Sequence, residues 1–172
     1  MDSKKKRLIA YHEVGHALVG TLTADHDDVQ KVTIIPRGRA GGLTWFTPSE
    51  DQLLISRIEL MARITGALGG RAAEEVVFGG DEITTGASGD FQQVTSMARA
   101  MVTRFGMSKL GVVSLESEGG EVFLGGAMMR QQSYSEEVAA TVDEQVRQIV
   151  RQCYSEAVAL LTEHRDLMDP VS

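Results

Sequence analysis

A pair of histidines near the start of the chain constrains the fold more than any other feature. Residues 8–20 have the sequence LIAYHEVGHALVG, in which Glu13 directly follows His12 and His16 lies four residues after His12. In an α-helix, positions four apart differ by only about 40° around the axis and about 6 Å along it. The spacing therefore predicts a partly buried helix, from about Ser3 to Leu22, that presents both imidazoles on one side.

This spacing is typical of two ligands on one zinc ion, for which Zn–N distances are about 2.0–2.1 Å. Glu13 lies about 100° around the helix from His12, so it is poorly placed as a ligand but can act on a water molecule at the metal. Two core histidines bonded to backbone carbonyls are the alternative. Two of the chain's four histidines at ligand spacing favour the metal site. Gly15, inside the helix, predicts the close approach of another element.

A catalytic zinc ion takes three protein ligands and leaves the fourth position to water. The longer pattern H-E-x-x-H-x-x-G-x-x-H is absent, because Val19 and Leu22 occupy its glycine and third histidine positions. Glu74 in RAAEEVV and Asp90 in TTGASGDFQQ are the remaining candidates. Physical reasoning alone makes Glu74 and Asp90 nearly equal candidates for the third ligand. Asp90 is slightly preferred, because a short side chain in the first turn of a helix can be aimed rigidly.

Three further segments have the helical spacing of apolar residues. The second helix is expected to begin behind a capping box formed by Ser49 and Gln52 and to end at Gly79. Glycines are expected to interrupt or bend it at three positions: Gly66, Gly69 and Gly70. The third helix is expected to begin near Ser88, to bury a face that includes Phe105, and to stop at Gly106.

The fourth and longest helix is expected to begin behind a capping box of Ser133 and Glu136. KVTIIPRG and GLTWFTP, residues 31–38 and 42–48, have the composition of two strands or a hairpin, and GVVSLE and EVFLG carry weaker strand signals. The predicted fold is mostly α (α+β), with a small β-sheet or hairpin beside the H-E-x-x-H helix. Residues 1–172 are expected to form one domain.

Composition excludes several classes of protein. A net charge of −7 argues against a nucleic-acid-binding surface, which needs clustered Lys and Arg. The single cysteine, Cys153, allows neither an intrachain disulfide nor a cysteine zinc site, and its position in an apolar pattern predicts a core residue. No apolar run approaches the roughly 18 residues of a membrane helix, so the fragment is expected to be soluble by itself.

Several long motifs occur in a recognisable order: AYHEVGHALVG, KVTIIPRGRAGGLTWF, GGRAAEEVVFG, DEITTGASGDFQQVTSMARAMVTRFGMS and GEVFLG. Together they resemble the peptidase domain of the FtsH family of membrane-anchored, ATP-dependent zinc metalloproteases, over about residues 4–167. The segments MDSKKKRLIAYHEVGHALVG and GLTWFTP are most similar to those of cyanobacterial and thylakoid members of the family. The resemblance implies one zinc ion per chain bound by His12, His16 and Asp90, with Glu13 as catalytic base. Glu74 is left as a partner that orients a ligand imidazole or as an alternative ligand.

The same resemblance implies unfolded or membrane-protein substrates, a role in protein quality control, and a homo- or hetero-hexamer. The sequence has no G-x-x-x-x-G-K-[ST] motif, so ATP is expected to act only through an ATPase module that this segment lacks. Membrane attachment, at a thylakoid or bacterial inner membrane with the peptidase on the stromal or cytoplasmic side, is likewise expected from segments outside this chain. A non-enzymatic, zinc-stabilised hexamer-assembly module is the alternative, and Glu13 beside the ligands argues against it.

Overall fold

A computed structural model describes residues 2–23, 28–32, 44–47, 54–115 and 135–168. Most of these residues lie in four helices: α1 (Ser3–Leu22), α2 (Arg57–Phe78), α3 (Ser88–Thr103) and α4 (Glu136–Glu163). The predicted, mostly helical class is confirmed. None of the described helices combines the length and the apolar character needed to cross a membrane.

Two short strands, β1 (Asp28–Val32) and β2 (Thr44–Thr47), pair antiparallel, with a register irregularity between Val29 and Lys31. Both lie against α1. β1 begins three residues before the predicted segment, and any larger sheet stays a prediction. Residues 111–115, within the weaker signal GVVSLE, are irregular, so that part of the prediction is wrong. The other weak signal, at 121–125, lies outside the described residues.

The second helix starts later than the sequence indicated. Its N-cap is Ser56, whose hydroxyl accepts a hydrogen bond from the Glu59 backbone N–H and donates one to the Glu59 carboxylate. Ser49 and Gln52 lie outside the described residues, but Leu54 is non-helical and 88% exposed, so the earlier start is wrong. Glu59 adds a negative charge to the first turn, which favours this start over one supported by a neutral glutamine.

The predicted interruption of α2 by its glycines is also wrong. The helix runs unbroken to Phe78 and ends, as expected, at Gly79, whose φ is +88°. A Cβ on Gly15 would lie 2.3 Å from the Gly69 carbonyl oxygen and 2.5 Å from the Cβ of Ala73. The backbones of α1 and α2 are therefore in direct contact, which confirms the close approach predicted at Gly15. Packing contact with α1 outweighs the intrinsic cost of glycine inside α2.

The ends of the later helices also differ from expectation. α3 ends at Thr103, and Gly106 follows with φ +64°, but Phe105 lies beyond the helix and is 47% exposed. The N-cap of α4 is Ser135, which accepts a hydrogen bond from Val138 N–H. A capping box on residues 133 and 136 is wrong, because residue 136 is the first helical position and not the third.

α2 lies at the centre of the molecule and contributes to two apolar cores. The first, between α2, α3 and α4, contains Ile64, Leu68, Met101 and Val142, together with Cys153, which is confirmed as a buried core residue. The second joins α1, α2 and the end of α4, with members that include Tyr11, Val19, Ala72 and Leu161. The two cores fix α1 and α3 on α2, and α1 and α3 carry the candidate metal ligands.

Candidate metal centre

His12 and His16 from α1 meet Asp90 from the first turn of α3. The two Nε2 atoms are 3.1 Å apart, and Asp90 Oδ2 lies 3.4 Å from His12 Nε2 and 3.3 Å from His16 Nε2. Both histidines are buried and Asp90 is partly buried. These three residues form a group that could hold one metal ion.

The size of this triangle fits a tetrahedral zinc ion. Ligand atoms at about 2.0–2.1 Å from a tetrahedral centre lie about 3.3–3.4 Å from one another. The three measured separations, from 3.1 to 3.4 Å, agree with that value to within a few tenths of an ångström. Three protein atoms occupy one face of such a tetrahedron, and the fourth corner is left for water or substrate.

The hydrogen bonds behind the imidazoles indicate which nitrogen carries the lone pair. His16 Nδ1 lies 2.9 Å from the Gly66 carbonyl oxygen, which can only accept, so His16 must donate from Nδ1. His12 Nδ1 lies 2.6 Å from a carboxylate oxygen of Glu74 and donates in the same way. In the neutral imidazoles both Nε2 lone pairs then point toward Asp90. Three acceptors meet at one point, and a cation satisfies them all.

The electrostatics also favour positive charge at this point. Burial lowers the pKa of His12, but hydrogen bonds and charge from Asp90 and Glu74 outweigh burial and raise that pKa to about 9. Burial raises the pKa of Asp90, and the two imidazoles outweigh it, lowering that pKa to about 2. The carboxylate is therefore ionised across the physiological range and available as a metal ligand.

Gly70 leaves the space that the imidazoles occupy. A Cβ at this position would lie 2.4 Å from His12 Nε2 and 2.6 Å from His16 Nε2. The sequence showed only a glycine within a helical segment, which was interpreted as an interruption. The structure gives Gly70 another role, because any side chain there would overlap both imidazoles.

Glu74 lies on the opposite side of His12 from the triangle. One carboxylate oxygen accepts from His12 Nδ1, and the other accepts from the Thr84 backbone N–H and hydroxyl, each at 2.7 Å. Burial raises the pKa of Glu74, but the bonds from His12 and Thr84 outweigh it and lower that pKa. With both oxygens engaged, Glu74 orients His12, and Asp90 completes the triangle.

Thr84 and Arg71 were not recognised from the sequence, because no local pattern marks them. Thr84 caps the short 3-10 helix Thr85–Ala87, accepting a hydrogen bond from Gly86 N–H, and its carbonyl accepts from Arg71 Nη2 at 2.9 Å. Two residues of α2 thus bind the segment that leads into α3. The same helix that supports His12 thereby fixes the direction of approach of Asp90.

Glu13, the predicted catalytic base, is 2% exposed on α1. It directly follows His12 in the sequence, and its role as catalytic base stays a prediction. Of the other two histidines, His164 is half-buried at the C-terminal end of α4, and His26 lies outside the described residues. Among the described residues, only His12, His16 and Asp90 form the metal group, and His164 is not part of it.

Comparison with known proteins places the chain in a family. The model of a family described as Peptidase family M41 matches residues 1–172. An ATP-dependent zinc metalloprotease FtsH of Trieres chinensis is 56% identical over 98% of this chain and 26% of its own length. FtsH 3 of Synechocystis sp. is 56% identical over 100% of this chain and 29% of its length, and the chloroplastic FTSH 2 of Oryza sativa is 52% identical over 99% and 25%.

The chain thus spans between 25% and 29% of the length of these relatives. The predicted resemblance to FtsH proteases, including cyanobacterial and chloroplast members, is confirmed. A family match over every residue, with more than half of the positions identical to zinc metalloproteases, shows that this chain belongs to peptidase family M41.

Proposed function

We propose that this chain is a zinc-dependent endopeptidase domain, the proteolytic part of an ATP-dependent protease. The observation that carries the proposal is the convergence of His12 Nε2, His16 Nε2 and Asp90 Oδ2 at tetrahedral-edge distances. The names of the relatives support zinc as the metal and peptide bonds as the target.

His12, His16 and Asp90 would hold the ion, which when bound supplies a Lewis acid that polarises a carbonyl and acidifies water. Glu13 accepts a proton from the attacking water and delivers it to the leaving amine. Over the reaction the C–N bond breaks, the carbonyl carbon gains the hydroxyl of water, and the nitrogen gains its proton. Glu74 keeps the His12 imidazole oriented throughout.

The substrate is proposed to be an unfolded or membrane-derived polypeptide lying extended along a strand edge. β1 and β2 pair only with each other in the described part of the chain, and both lie next to α1, so either offers an edge beside the helix that carries His12 and His16. Backbone pairing depends little on side chains, so peptides of scrambled sequence should be cut at similar rates. Widely different rates would exclude recognition dominated by the backbone.

The proposal extends to the longer protein only through its relatives. ATP-driven delivery of substrate and attachment to a thylakoid or bacterial inner membrane would come from segments beyond this chain, and the peptidase domains would form a homo- or hetero-hexameric ring. A head-to-tail ring would give every subunit the same two interfaces.

Replacing Glu13 tests the proposed chemistry. Glu13→Gln keeps the size of the side chain but cannot accept a proton, so peptidase activity should fall by about 100-fold or more while zinc content stays unchanged. Activity on an unfolded fluorescent casein and zinc by elemental analysis are the two measurements. Glu163→Gln, at an exposed position of α4, is the matched control. Loss of zinc together with activity would instead favour a structural zinc module.

A further inference from the structure

A groove of about 580 Å³ lies between α2, α3 and α4, outside the metal centre. Its floor is apolar and includes Leu68, Phe91 and Val146. Leu68 and Val146 belong to the first core, and Phe91 packs against that core. None of the three metal-group residues lines the groove, but Phe91 directly follows Asp90 on α3. The groove is therefore separate from the proposed centre, although the two have neighbouring residues of α3 in their linings.

The rim of the groove is strongly basic. It is lined by four arginines but by only one carboxylate, that of Asp143. The arginines are Arg71, Arg99, Arg147 and Arg151. The chain as a whole carries a net charge of −7, so this concentration of positive charge is opposite to the charge of the molecule. A cleft lined by one sign of charge attracts ligands of the other sign.

Two of these arginines keep their charge available to a ligand. Arg71 contacts the Thr84 carbonyl and stacks on Phe91, with its guanidinium carbon 4.7 Å from the ring centroid. Its Nε is buried without a hydrogen-bond partner, and no carboxylate of the described residues lies within ion-pair distance of it. Arg151 is exposed and has no carboxylate partner within the same described part.

The other two arginines each form a long ion pair with an exposed carboxylate. Arg99 lies 3.7 Å from Asp143, whose side chain is 60% exposed. Arg147 lies 3.7 Å from Glu144, and both of those side chains are about half exposed or more. Exposed ion pairs at such distances contribute little and are easily exchanged for a better partner.

We propose that this groove binds an acidic segment of a polypeptide substrate, at a position separate from the scissile bond. Guanidinium groups provide paired donors for the carboxylates of Asp and Glu, and the apolar floor accommodates neighbouring apolar side chains. A small inorganic anion would use the arginines but not the floor. The inference rests on the proposed function, because that function supplies polypeptide as the ligand. The groove would select segments in which acidic and apolar residues alternate.

Binding, and not cleavage, tests this inference. A fluorescein-labelled unstructured peptide of alternating Glu and Leu is titrated with the Glu13→Gln chain at low salt, and anisotropy is recorded. The double variant Arg147→Gln/Arg151→Gln should bind about tenfold more weakly, each lost charge being worth a few-fold in affinity. A peptide with Gln in place of Glu should bind the unmodified groove weakly. The readout needs no hydrolysis. The groove proposal can therefore fail while the peptidase proposal stands, and the peptidase proposal can fail while the groove proposal stands.

A matched control removes the same charge elsewhere. Lys5→Gln/Lys6→Gln, at exposed positions in the first turn of α1, should change the affinity less than twofold. Equal weakening by the two double variants would show attraction to net charge only and overturn the inference. It would also be overturned if sedimentation showed that the arginine variant loses self-association while peptide affinity is unchanged, since the groove would then serve a second copy of the chain.

Discussion

Glu74 shows how a residue outside the proposed ligand set controls the geometry of the centre. Its carboxylate accepts three hydrogen bonds, one from His12 and two from Thr84. An acceptor at the Nδ1 side fixes the proton there and leaves Nε2 free for a metal. A single acidic side chain therefore sets the tautomer of one ligand and the position of the segment that carries another.

Glu74→Gln should weaken zinc binding by about 10- to 100-fold, the usual effect of losing a partner behind a histidine ligand. An amide has one acceptor oxygen, so its NH₂ group would face either the His12 donor or the Thr84 donors. Competition with a chromophoric chelator gives the affinity. Glu75→Gln is the control, because the only described hydrogen bond of its side chain is from the Tyr154 hydroxyl, which an amide oxygen can still accept. Equal affinities in the two variants would contradict the assigned role.

At this scale the sequence was sufficient for some residues and not for others. The spacing of His12 and His16 determines a shared helix face whatever the rest of the fold does. Asp90 and Glu74 remained nearly equal, because choosing between them requires knowing which side of His12 each acid approaches. Gly70 was interpreted as a helix interruption, because nothing in a linear pattern shows that another helix places imidazoles over it.

Among the elements, the contact between α1 and α2 has the largest consequences for the site. Gly15 and Gly69 bring the two backbones together, since a Cβ on either would meet backbone atoms of the other at 2.3–2.6 Å. The sequence predicted α1 with its observed bounds, and the spacing of His12 and His16 four residues apart marked the helix face that is buried. It misplaced the start of α2, because two Ser-x-x-Glu/Gln patterns compete there, and the start of α4, because its cap Ser135 is followed three residues later by Val138 and lacks the pattern.

Gly15→Ala should destabilise the protein by about 1–3 kcal/mol through overpacking, even though alanine is the better helix former by about 1 kcal/mol. The new methyl group meets a backbone carbonyl, which cannot rotate away as a side chain can. Urea unfolding followed by circular dichroism gives the change in free energy. Gly89→Ala is the matched helical control, with nothing within 4 Å of the added Cβ, and should leave stability equal or slightly higher. Equal stability of the two variants would contradict the close contact between Gly15 and the backbone of α2.

At the scale of the whole molecule, the centre joins parts of the chain that are distant in sequence. α1 supplies two residues of the candidate metal group, α3 supplies the third, and α2 holds both helices in place through Glu74, Arg71 and its glycines. A ligand that binds only this folded arrangement must stabilise it. Metal binding and folding are therefore expected to be coupled.

Removal of zinc with a chelator should lower the melting temperature, and added zinc should restore it. Free zinc at 100 times its dissociation constant stabilises by about 2.7 kcal/mol. Differential scanning fluorimetry with and without the chelator gives the shift. His16→Ala should abolish the shift, whereas His164→Ala should preserve it, because His164 lies at the end of α4. A shift of the same size in both variants would place the metal elsewhere.

Gly70 offers a way to disturb the metal group without replacing any of its three residues. Any residue larger than glycine would insert its first carbon between the two imidazoles, at 2.4–2.6 Å from their Nε2 atoms. The helix itself tolerates alanine well. An alanine at this position would thus push His12 and His16 away from Asp90, at a cost in stability, while leaving every proposed ligand and Glu13 in the chain.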